Sequence, residues 1–235
     1  MAQWALVTGA TAGIGESFTR LLASKGYNVA LVARDEARLH ERAAGLREKY
    51  GVQTFVLPAD LSTNEGCRSV EDYISTYEIE VLINNAGFGI NKAFSTSQMD
   101  AEQQMFDVLV RTPMRLMHTI IPGMKERKSG IIINNSSVAS FIAGGTYSAA
   151  KSYMTVLSES MNTELASSGV KVSALCPGFT RTEFHERGRM KMGGLPNFMW
   201  LNADKLVAQS WKDALANKPV SIPGWQYKLL VGVIS

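Results

Sequence analysis

Tyr147 and Lys151 are the two side chains of this sequence whose types and spacing could do proton chemistry. They stand in the run Tyr147-Ser148-Ala149-Ala150-Lys151, so on a helix they lie one turn apart and on the same face. A free tyrosine, with a pKa of about 10, is a weak acid–base catalyst near neutral pH. Because a neighbouring ammonium favours tyrosinate, we expect Lys151 to lower the pKa of Tyr147. The pair therefore predicts a phenol that exchanges a proton with a substrate.

A glycine-rich turn near the start of the chain has the spacing of a phosphate-binding loop. The sequence TGATAGIG occupies residues 8–15 and follows an apolar, strand-like stretch. Gly9 permits a sharp turn, Gly13 lets the backbone approach a pyrophosphate, and Gly15 lets the next helix pack close to the sheet. A helix opening near Ile14 would direct its free N–H groups at the phosphates. The glycines alone would also suit an ordinary strand–helix turn, but the flanking strand and amphipathic helix favour a dinucleotide site and hydride transfer.

The composition suits one globular domain and excludes several other classes. The chain has 235 residues, of which 46% are hydrophobic and 19% are charged. A net charge of +3 without a basic run argues against a nucleic-acid partner. Cys67 and Cys176 are predicted to be buried free thiols, and the histidines show no metal-ligand spacing. Since neither a signal segment nor an apolar stretch of about 18 residues is present, we expect a cytoplasmic protein without a membrane span.

Predicted strands and helices alternate along the whole chain. The predicted strands cover residues 5–7, 29–33, 54–57, 81–84, 131–134, 171–175 and 220–222. The predicted helices cover residues 14–25, 36–50, 64–77, 98–127, 147–167 and 203–217. Short apolar strands between amphipathic helices are typical of an α/β fold whose parallel sheet is covered on both faces. Ligands bind at the carboxyl ends of the strands in such a sheet, and the motifs lie there.

The order and spacing of the motifs resemble those of the short-chain dehydrogenase/reductase family over essentially the whole chain. The matching elements are Thr8-Gly9-x3-Gly13-x-Gly15, Asp60-Leu61, Asn84-Asn85-Ala86-Gly87, Ser137, Tyr147-x3-Lys151 and Pro177-Gly178. The resemblance implies a Rossmann-type, doubly wound parallel sheet of about seven strands with helices on both faces. It also implies one dinucleotide-binding and catalytic domain over residues 1–235.

A large set of residues is expected to contact the nicotinamide cofactor. They are Gly9, Thr11, Gly13, Ile14, Gly15, Arg34, Asp60, Leu61, Asn85, Ala86, Gly87, Tyr147, Lys151, Pro177, Gly178, Thr180 and Thr182. The resemblance implies that Asp60 hydrogen-bonds the adenine amino group and that residues 85–87 line the adenosine ribose. Residues 177, 178, 180 and 182 would flank the nicotinamide. Asp60 and Thr182 are also ordinary capping residues, which is the alternative for each.

The resemblance implies three catalytic residues, Ser137, Tyr147 and Lys151. Ser137 would hydrogen-bond the substrate oxygen and stabilise charge there, with Ser136 as the alternative if the register differs by one. Lys151 would also bind the nicotinamide ribose. The interval from Ser137 to Tyr147 is shorter than is usual in the family, so the connection must be tight. A Gly-Gly pair before Tyr147 makes such a turn feasible.

The residues after the second predicted strand indicate which dinucleotide is bound. An NAD enzyme usually has a carboxylate there for the ribose hydroxyls, but this chain has Ala33 followed by Arg34. A guanidinium can bind a 2′-phosphate with two charge-assisted hydrogen bonds. Asp35 is expected to start the next helix. The sequence therefore predicts NADP(H), with NAD(H) less favoured, while a solvated surface arginine is the alternative for Arg34.

The long predicted helix departs from the family pattern at Leu109, where many relatives carry an asparagine. Leucine has no side-chain hydrogen bond to offer, so a four-residue catalytic set is reduced to three. Pro113 lies four residues later and has no N–H, so the Leu109 carbonyl loses its normal helical donor. We expect a kink with a free carbonyl at this point, which could replace the backbone role of the asparagine in a proton relay through Lys151. A plain helix bend is the alternative.

The segment 179–202 forms the substrate lid in the family and is apolar here. Its apolar residues are Phe184, Met190, Met192, Leu195, Phe198, Met199, Trp200 and Leu201. Aromatic and methionine side chains suit an adaptable apolar pocket, but packing onto the core or a partner chain explains them equally well.

A homodimer or homotetramer is expected, because relatives pair the helices 98–127 and 147–167 between subunits. The apolar residues of these helices at helical spacing are Met105, Val108, Leu116, Ile120, Met154, Leu157 and Met161, and much of this set is expected in the core. The apolar C-terminal residues from Trp225 to Ile234 are expected to join an interface or to cover the pocket.

The resulting prediction is an NADP(H)-dependent oxidoreductase that interconverts a carbonyl and an alcohol on a small, apolar substrate. The first alternative is a cofactor-binding sensor or interaction protein with weak or no catalysis, which the missing asparagine would suit. An acid–base lyase or epimerase on the same scaffold is a further alternative, but no additional acid is evident in the predicted site.

Overall fold

The seven strands predicted from the sequence form one parallel sheet in the computed structural model, which describes residues 3–183 and 196–234. The strands are β1 (Trp4–Thr8), β2 (Asn28–Ala33), β3 (Thr54–Pro58), β4 (Ile79–Asn84), β5 (Gly130–Asn135), β6 (Val170–Leu175) and β7 (Val220–Ser221). Their order in the sheet is β3-β2-β1-β4-β5-β6-β7. From β1 to β3 each successive strand is added on one side of the sheet, and from β4 to β7 each is added on the other side. This reversal creates a crevice at the carboxyl ends of these strands, where ligands bind in open α/β sheets.

Helices connect the strands at nearly the positions that the sequence predicts. They are α1 (Gly13–Ser24), α2 (Glu36–Tyr50), α3 (Asn64–Thr76), α4 (Met99–Phe106), α5 (Thr112–Glu126), α6 (Gly145–Glu164), α7 (Ala203–Leu215) and α8 (Trp225–Ile234). The predicted helix 98–127 is divided into α4 and α5 by a π-helical turn, Asp107–Arg111. Helix α6 begins two residues earlier than predicted, and α8 was not predicted as a helix. Short 3-10 turns occupy Phe94–Thr96, Val138–Phe141 and Asn197–Met199.

The core lies in two layers, one on each face of the sheet. Alternate residues of a strand point to opposite faces, so Val7 belongs to one layer and Leu6 to the other. Helices α1, α2 and α7 cover the first face, and Phe18 of α1 is fully buried there. Helices α3, α5 and α6 cover the second face, with Leu116 of α5 fully buried. The sheet is therefore wound with helices on both sides, as predicted.

Most of the apolar residues at helical spacing on the two long predicted helices lie in the protein's own core, as expected. Met105, Val108, Leu116, Ile120 and Met154 are all buried within the chain. The exposed large apolar side chains of α4, α5 and α6 are Met99, Phe106, Met114, Tyr153 and Val156. Helical spacing alone does not distinguish the core face of a helix from an outward apolar face, so the sequence could not say which members of the set belong to the core.

Both cysteines, Cys67 and Cys176, are buried free thiols, as predicted. Within residues 3–183 and 196–234, no helix is long and apolar enough to cross a bilayer.

Candidate active site

All three loop glycines are required by close contacts between chain segments. Gly9 has a φ of 66°, and a Cβ there would lie 2.8 Å from the side-chain nitrogen of Asn85. A Cβ on Gly15 would overlap the Gly9 carbonyl oxygen and the Asn85 side chain. Gly15 thus allows α1 to begin directly against the turn after β1, rather than only permitting the helix to approach the sheet. Ile14 is half-buried and packs against the core.

The start of α1 is open to an anion. Its N-cap residue is Ala12, which has no side chain to accept a hydrogen bond from the first N–H groups of the helix. Gly13 has a φ of 57°, and a Cβ there would lie 2.9 Å from the Thr182 side chain. Thr182 therefore lies over the phosphate loop, and its contact with the nicotinamide stays a prediction. The arrangement leaves backbone N–H groups at the end of the crevice.

Asn85 holds the loop together and does not present a free side chain to a ribose. Its Nδ2 donates to the carbonyl oxygens of Thr8 (2.9 Å) and Gly9 (3.2 Å). Its Oδ1 accepts from Nδ2 of Asn135 at 3.0 Å. The Thr8 hydroxyl oxygen accepts from the backbone N–H groups of Asn85 (2.9 Å) and Ala86 (3.0 Å). The sequence reasoning missed the roles of Thr8 and Asn135, whose partners lie far away in the chain.

The two serines after β5 have different surroundings, which resolves the register left open above. The Ser136 hydroxyl is buried, donates to the Lys151 carbonyl oxygen at 2.8 Å and contacts the Thr155 hydroxyl at 2.7 Å. The Ser137 hydroxyl instead hydrogen-bonds the Tyr147 hydroxyl and accepts from the Ala139 N–H at 3.1 Å. Ser137 is therefore the serine that shares the site with Tyr147.

The electrostatic state of Tyr147 differs from the expectation. Burial raises the pKa of Tyr147 to about 12, while the hydrogen bond with Ser137 acts in the opposite direction. The expected lowering of this pKa by Lys151 was wrong. The Lys151 ammonium lies 5.6 Å from the centroid of the phenol ring and donates to the Asn135 carbonyl oxygen at 2.6 Å. The phenol is thus protonated at neutral pH and has a proton to donate.

Lys151 is a buried cation, with only 4% of its surface exposed. Burial lowers its pKa to about 8, and the nearby Cys176 opposes the shift. Its hydrogen bond to Asn135 fixes the ammonium at the carboxyl end of β5. A lysine with this pKa can release and recover a proton near neutral pH, as a relay requires.

The connection from Ser137 to Tyr147 is tight, as its length predicts. It runs through the 3-10 turn Val138–Phe141 and reaches α6 at Gly145, whose φ is 78°. A Cβ on Gly144 would lie 2.7 Å from the Ser148 hydroxyl oxygen, so a larger residue here would make that hydroxyl move.

Glu102 of α4, which the sequence reasoning missed, holds the first turn of α6 beside Tyr147. Its buried carboxylate accepts hydrogen bonds from the hydroxyls of Thr146 (2.6 Å) and Ser97 (2.6 Å). These bonds tie the residue before Tyr147 to the neighbouring helix.

Leu109 lies within the π-helical turn, so the expected helix irregularity takes this form. Its side chain is buried against Gly87, where an added Cβ would lie 2.8 Å from a Leu109 methyl carbon. The same Cβ would lie 4.0 Å from the Lys151 ammonium. Leu109 therefore occupies the space beside the lysine, on the side of the residues that follow β4.

Two arginines, Arg34 and Arg38, lie near the expected adenosine end. Arg34 is exposed after β2 and close enough to Asp60 to influence it electrostatically. Arg38 was missed, although it follows Arg34 by about one helical turn. Its guanidinium pairs with both carboxylate oxygens of Glu183, at 2.8 and 3.2 Å, and lies 3.4 Å from the Thr11 carbonyl oxygen. Arg38 thus joins α2 to the phosphate loop and to the segment after β6.

Asp60 is preorganised by its own turn. Its Oδ1 accepts from the N–H (3.0 Å) and hydroxyl (2.8 Å) of Ser62. Burial alone would raise the pKa of Asp60, but these hydrogen bonds and the Arg34 charge together lower it. The neighbouring Leu61 has a buried side chain, and its carbonyl oxygen accepts from the Thr112 hydroxyl at 2.8 Å. Asp60 is therefore an ionised acceptor, whereas Leu61 can offer a ligand little beyond its backbone.

The residues after β6 are placed beside Ser137. The carbonyl oxygen of Pro177 accepts from the Val138 N–H at 3.0 Å. Thr180 is buried, and its hydroxyl donates to the Gly178 carbonyl oxygen at 2.9 Å. Thr180 therefore shapes the chain here and does not present a free hydroxyl.

The expected lid lies partly outside the described residues, and this part includes Phe184, Met190, Met192 and Leu195. Its two described ends meet in a parallel bridge between Thr180 and Leu201. Near this bridge the rings of Phe179 and Trp200 lie 6.1 Å apart, and the side chain of Phe198 is exposed.

The sequence profile of the family described as short chain dehydrogenase matches residues 3–192. This chain belongs to the short-chain dehydrogenase family. Among curated relatives, it is 35% identical over 181 residues to a very-long-chain 3-oxoacyl-CoA reductase of Laccaria bicolor, covering 73% of this chain and 53% of that protein. It is 31% identical to the inactive hydroxysteroid dehydrogenase-like protein 1 of Homo sapiens, covering 77% of this chain and 56% of that protein. The chain thus spans little more than half the length of these relatives.

Solved structures of short-chain dehydrogenases superpose on this chain over nearly its whole length. A short-chain dehydrogenase from Sphingobium yanoikuyae in complex with NADPH has a TM-score of 0.91 at 30% identity, covering 98% of this chain and 93% of that one. The bulky-bulky ketone specific alcohol dehydrogenase from Comamonas testosteroni has a TM-score of 0.86 at 28% identity, covering 98% and 91%.

Proposed function

We propose that this short-chain dehydrogenase is an NADP(H)-dependent oxidoreductase that interconverts a carbonyl and an alcohol on a small, apolar substrate. The observation that carries the proposal is the meeting of Ser137, Tyr147 and Lys151 at the edge of the sheet that also bears the phosphate loop. Relatives that act on 3-oxoacyl-CoA or on bulky ketones, and one solved with NADPH, support it.

The residues present fit a nicotinamide dinucleotide. Gly9 and Gly13 adopt positive φ values in a cradle with no room for a Cβ, and α1 begins there without a side-chain cap. These are the features that accept a pyrophosphate. When bound, the cofactor supplies the hydride for carbonyl reduction. Lys151 and the backbone of residues 85–87 and 177–178 are proposed to hold its ribose and nicotinamide parts.

The side chains of the site then handle the proton. Tyr147, protonated at neutral pH, donates to the carbonyl oxygen of the substrate. Ser137 donates a second hydrogen bond to that oxygen as negative charge develops on it. Lys151, whose pKa is about 8, returns a proton toward Tyr147. In the reverse reaction the tyrosinate would act as the base.

The competing function is cofactor binding with little or no catalysis. Leu109 beside Lys151 and the likeness to an inactive relative favour it. A panel of small and bulky ketones incubated with NADPH, followed at the absorbance band of the reduced nicotinamide, separates the two functions. Steady ketone-dependent loss of this band supports the oxidoreductase. Tight NADPH binding without turnover of any ketone or alcohol would establish the sensor function instead.

Cofactor choice is the first property to test by substitution. We expect NADPH to bind more tightly than NADH, because Arg34 can pair with the 2′-phosphate. Arg34→Ala should weaken NADPH binding by roughly ten- to a hundredfold and leave NADH binding almost unchanged. Arg38→Ala should have a smaller effect, since Glu183 already balances the Arg38 charge. Titration of each cofactor by fluorescence or calorimetry measures these affinities.

Arg47→Ala is the matched control for the loss of a positive charge. Arg47 lies in the last turn of α2, where it hydrogen-bonds Thr54, and it should not discriminate between the cofactors. Equal affinity of the unmodified protein for NADPH and NADH would contradict the assignment of Arg34.

The π-helical turn is proposed to serve the proton relay, with Pro113 as its cause. Proline has no N–H to offer the Leu109 carbonyl in an ordinary α-helix, and the Leu109 side chain lies beside Gly87 and Lys151. Pro113→Ala restores that N–H, so turnover per folded molecule should fall several-fold with NADPH affinity unchanged. Leu109→Ala should reduce turnover less, although the cavity it leaves lowers stability. Full activity of a folded Pro113→Ala enzyme would show that the turn has no part in the relay.

We also propose that the protein is a homodimer or homotetramer. Helices α4, α5 and α6 present exposed apolar side chains, and the Tyr153 hydroxyl contacts the Met114 sulfur at 3.2 Å on this surface. Burial of such a surface against a second copy would stabilise the assembly.

A further inference from the structure

Tyr227 of α8 lies directly behind Gly178 and is almost fully buried, with 1% of its surface exposed. A Cβ added to Gly178 would overlap the Tyr227 ring. A side chain at Gly178 would therefore displace either the ring or the backbone between Pro177 and Phe179. Gly178, which is expected to face the nicotinamide, must therefore be glycine because the Tyr227 ring packs against it.

The Tyr227 hydroxyl joins two separate segments. It accepts a hydrogen bond from the Phe179 N–H at 3.0 Å and donates one to the Met199 carbonyl oxygen at 2.6 Å. The Leu201 N–H adds a direct bond to the Phe179 carbonyl oxygen at 2.8 Å. One phenol therefore satisfies a backbone donor and a backbone acceptor that would otherwise lack these partners.

This junction is connected to the catalytic serine. The carbonyl oxygen of Pro177 accepts from the N–H of Val138, the residue after Ser137. Helix α8 also contacts the turn Val138–Phe141. A shift of the Gly178–Phe179 backbone would therefore be transmitted to the backbone around Ser137.

We infer that Tyr227 is a positioning residue that fixes the aromatic wall formed by Phe179 and Trp200, and thereby sets the size of ketone that the site accepts. The inference rests on the proposed function. The two rings lie 6.1 Å apart, and the Arg181 guanidinium lies 5.7 Å from the centroid of the Trp200 ring. An aromatic wall anchored at both backbone ends suits a bulky, apolar carbonyl compound.

Tyr227→Phe keeps the ring against Gly178 and removes only the two hydrogen bonds of the hydroxyl. For a bulky aryl ketone we expect KM to rise by about tenfold. For a small aliphatic ketone, KM should change less than about twofold, because it does not depend on the wall. Affinity for NADPH should stay unchanged. Tyr73→Phe is the matched control, since Tyr73 is a buried tyrosine of α3 on a different part of the fold.

A second readout does not depend on turnover. The emission of Trp200, obtained as the difference between proteins with and without Trp200→Phe, should shift in Tyr227→Phe and stay constant in Tyr73→Phe. The melting temperature of each variant separates a local change of the wall from general loosening of the fold.

A purely structural role would lower kcat equally for both ketones through loss of folded protein, with both KM values and the Trp200 emission unchanged. That result, or no change at all, overturns the inference. If the unmodified protein reduces no ketone, the proposed function fails, and the Trp200 emission alone decides: a constant emission overturns the positioning role of Tyr227.

Discussion

Tyr147→Phe is expected to lower ketone turnover with NADPH by roughly a thousandfold or more, since it removes the proton donor and little else. In the structure this hydroxyl is protonated at neutral pH and hydrogen-bonded to Ser137. Phenylalanine preserves the ring that packs against the cluster of Met105, Leu109, Val110 and Ala150. The affinity for NADPH should change less than about threefold, because most of the expected cofactor contacts come from other residues. Single-turnover kinetics and a binding titration measure the two quantities separately.

Ser137→Ala provides the comparison for this prediction. It should also reduce turnover, by roughly a hundredfold, because it removes one hydrogen bond to the developing oxyanion and leaves the proton donor in place. A Tyr147→Phe enzyme with normal turnover would move the chemistry to another residue. Tyr153→Phe, six positions along α6 and exposed, should behave as the unmodified enzyme does.

Lys151→Ala should damage both turnover and cofactor binding. We expect a fall in kcat of roughly a hundredfold or more from loss of the proton relay. We also expect about tenfold weaker NADPH binding from loss of the ribose contact. The combined loss distinguishes Lys151 from Tyr147, whose substitution should affect turnover alone. Unchanged NADPH affinity would remove the proposed ribose contact.

Lys151→Met separates the loss of function from loss of the fold, because it keeps the volume and removes the charge. Burial lowers the pKa of Lys151 to about 8, so the charged form of this side chain destabilises the folded protein. The methionine variant should be more stable than the parent at pH 7, by about 1 kcal/mol after the lost hydrogen bond to Asn135 is considered.

The difference in stability between the Lys151→Met variant and the parent should depend on pH. Unfolded Lys151 keeps its proton up to its ordinary pKa, 10.5, whereas the folded protein releases it near 8. Between these values the unfolded state binds more protons, so raising the pH stabilises the folded parent. The advantage of Lys151→Met should therefore be largest below pH 8, shrink as the pH rises and change sign before pH 10.5, because a pKa shift from 10.5 to about 8 corresponds to roughly 3 kcal/mol. Urea unfolding at a series of pH values measures this advantage. An advantage of Lys151→Met that stays constant or grows as the pH rises would contradict a buried cation at this position.

The fold could be predicted because its signals are local. Each strand is a short apolar run, and each helix before residue 220 has an apolar face or a recognisable cap, such as Asp35 at the start of α2. Helix α8 was missed because its sequence is apolar nearly all round, with Trp225, Leu229 and Val233 exposed. Such a run has no polar face to reveal a helical period. The π-helical turn was foreseen only as a bend, because Pro113 marks a lost donor but not how the helix accommodates it.

The parts of the site that could be predicted are those whose residue spacing within one motif determines their relative positions. The glycines of the phosphate loop, Tyr147 and Lys151 fall together as their spacing indicates. The contacts of Arg38 with Glu183 join residues 145 positions apart, and sequence reading offers no sign of such a pair. The pKa of Tyr147 was predicted in the wrong direction because burial of the ring outweighs a neighbouring charge directed at Asn135.

The hydrogen bonds of Thr8 have a consequence for how the protein folds. Its hydroxyl donates to the Ile83 carbonyl oxygen and accepts from the N–H groups of Asn85 and Ala86, across 75 to 78 residues of intervening chain. Contacts of such high sequence separation form late, after the entropy of closing a long loop has been overcome. A partly folded chain in which β4 has not reached β1 therefore has the glycine-rich sequence but no cradle. A dinucleotide that needs the cradle binds only the completed fold, so at a concentration a hundred times its Kd it adds about 2.7 kcal/mol to the free energy of unfolding.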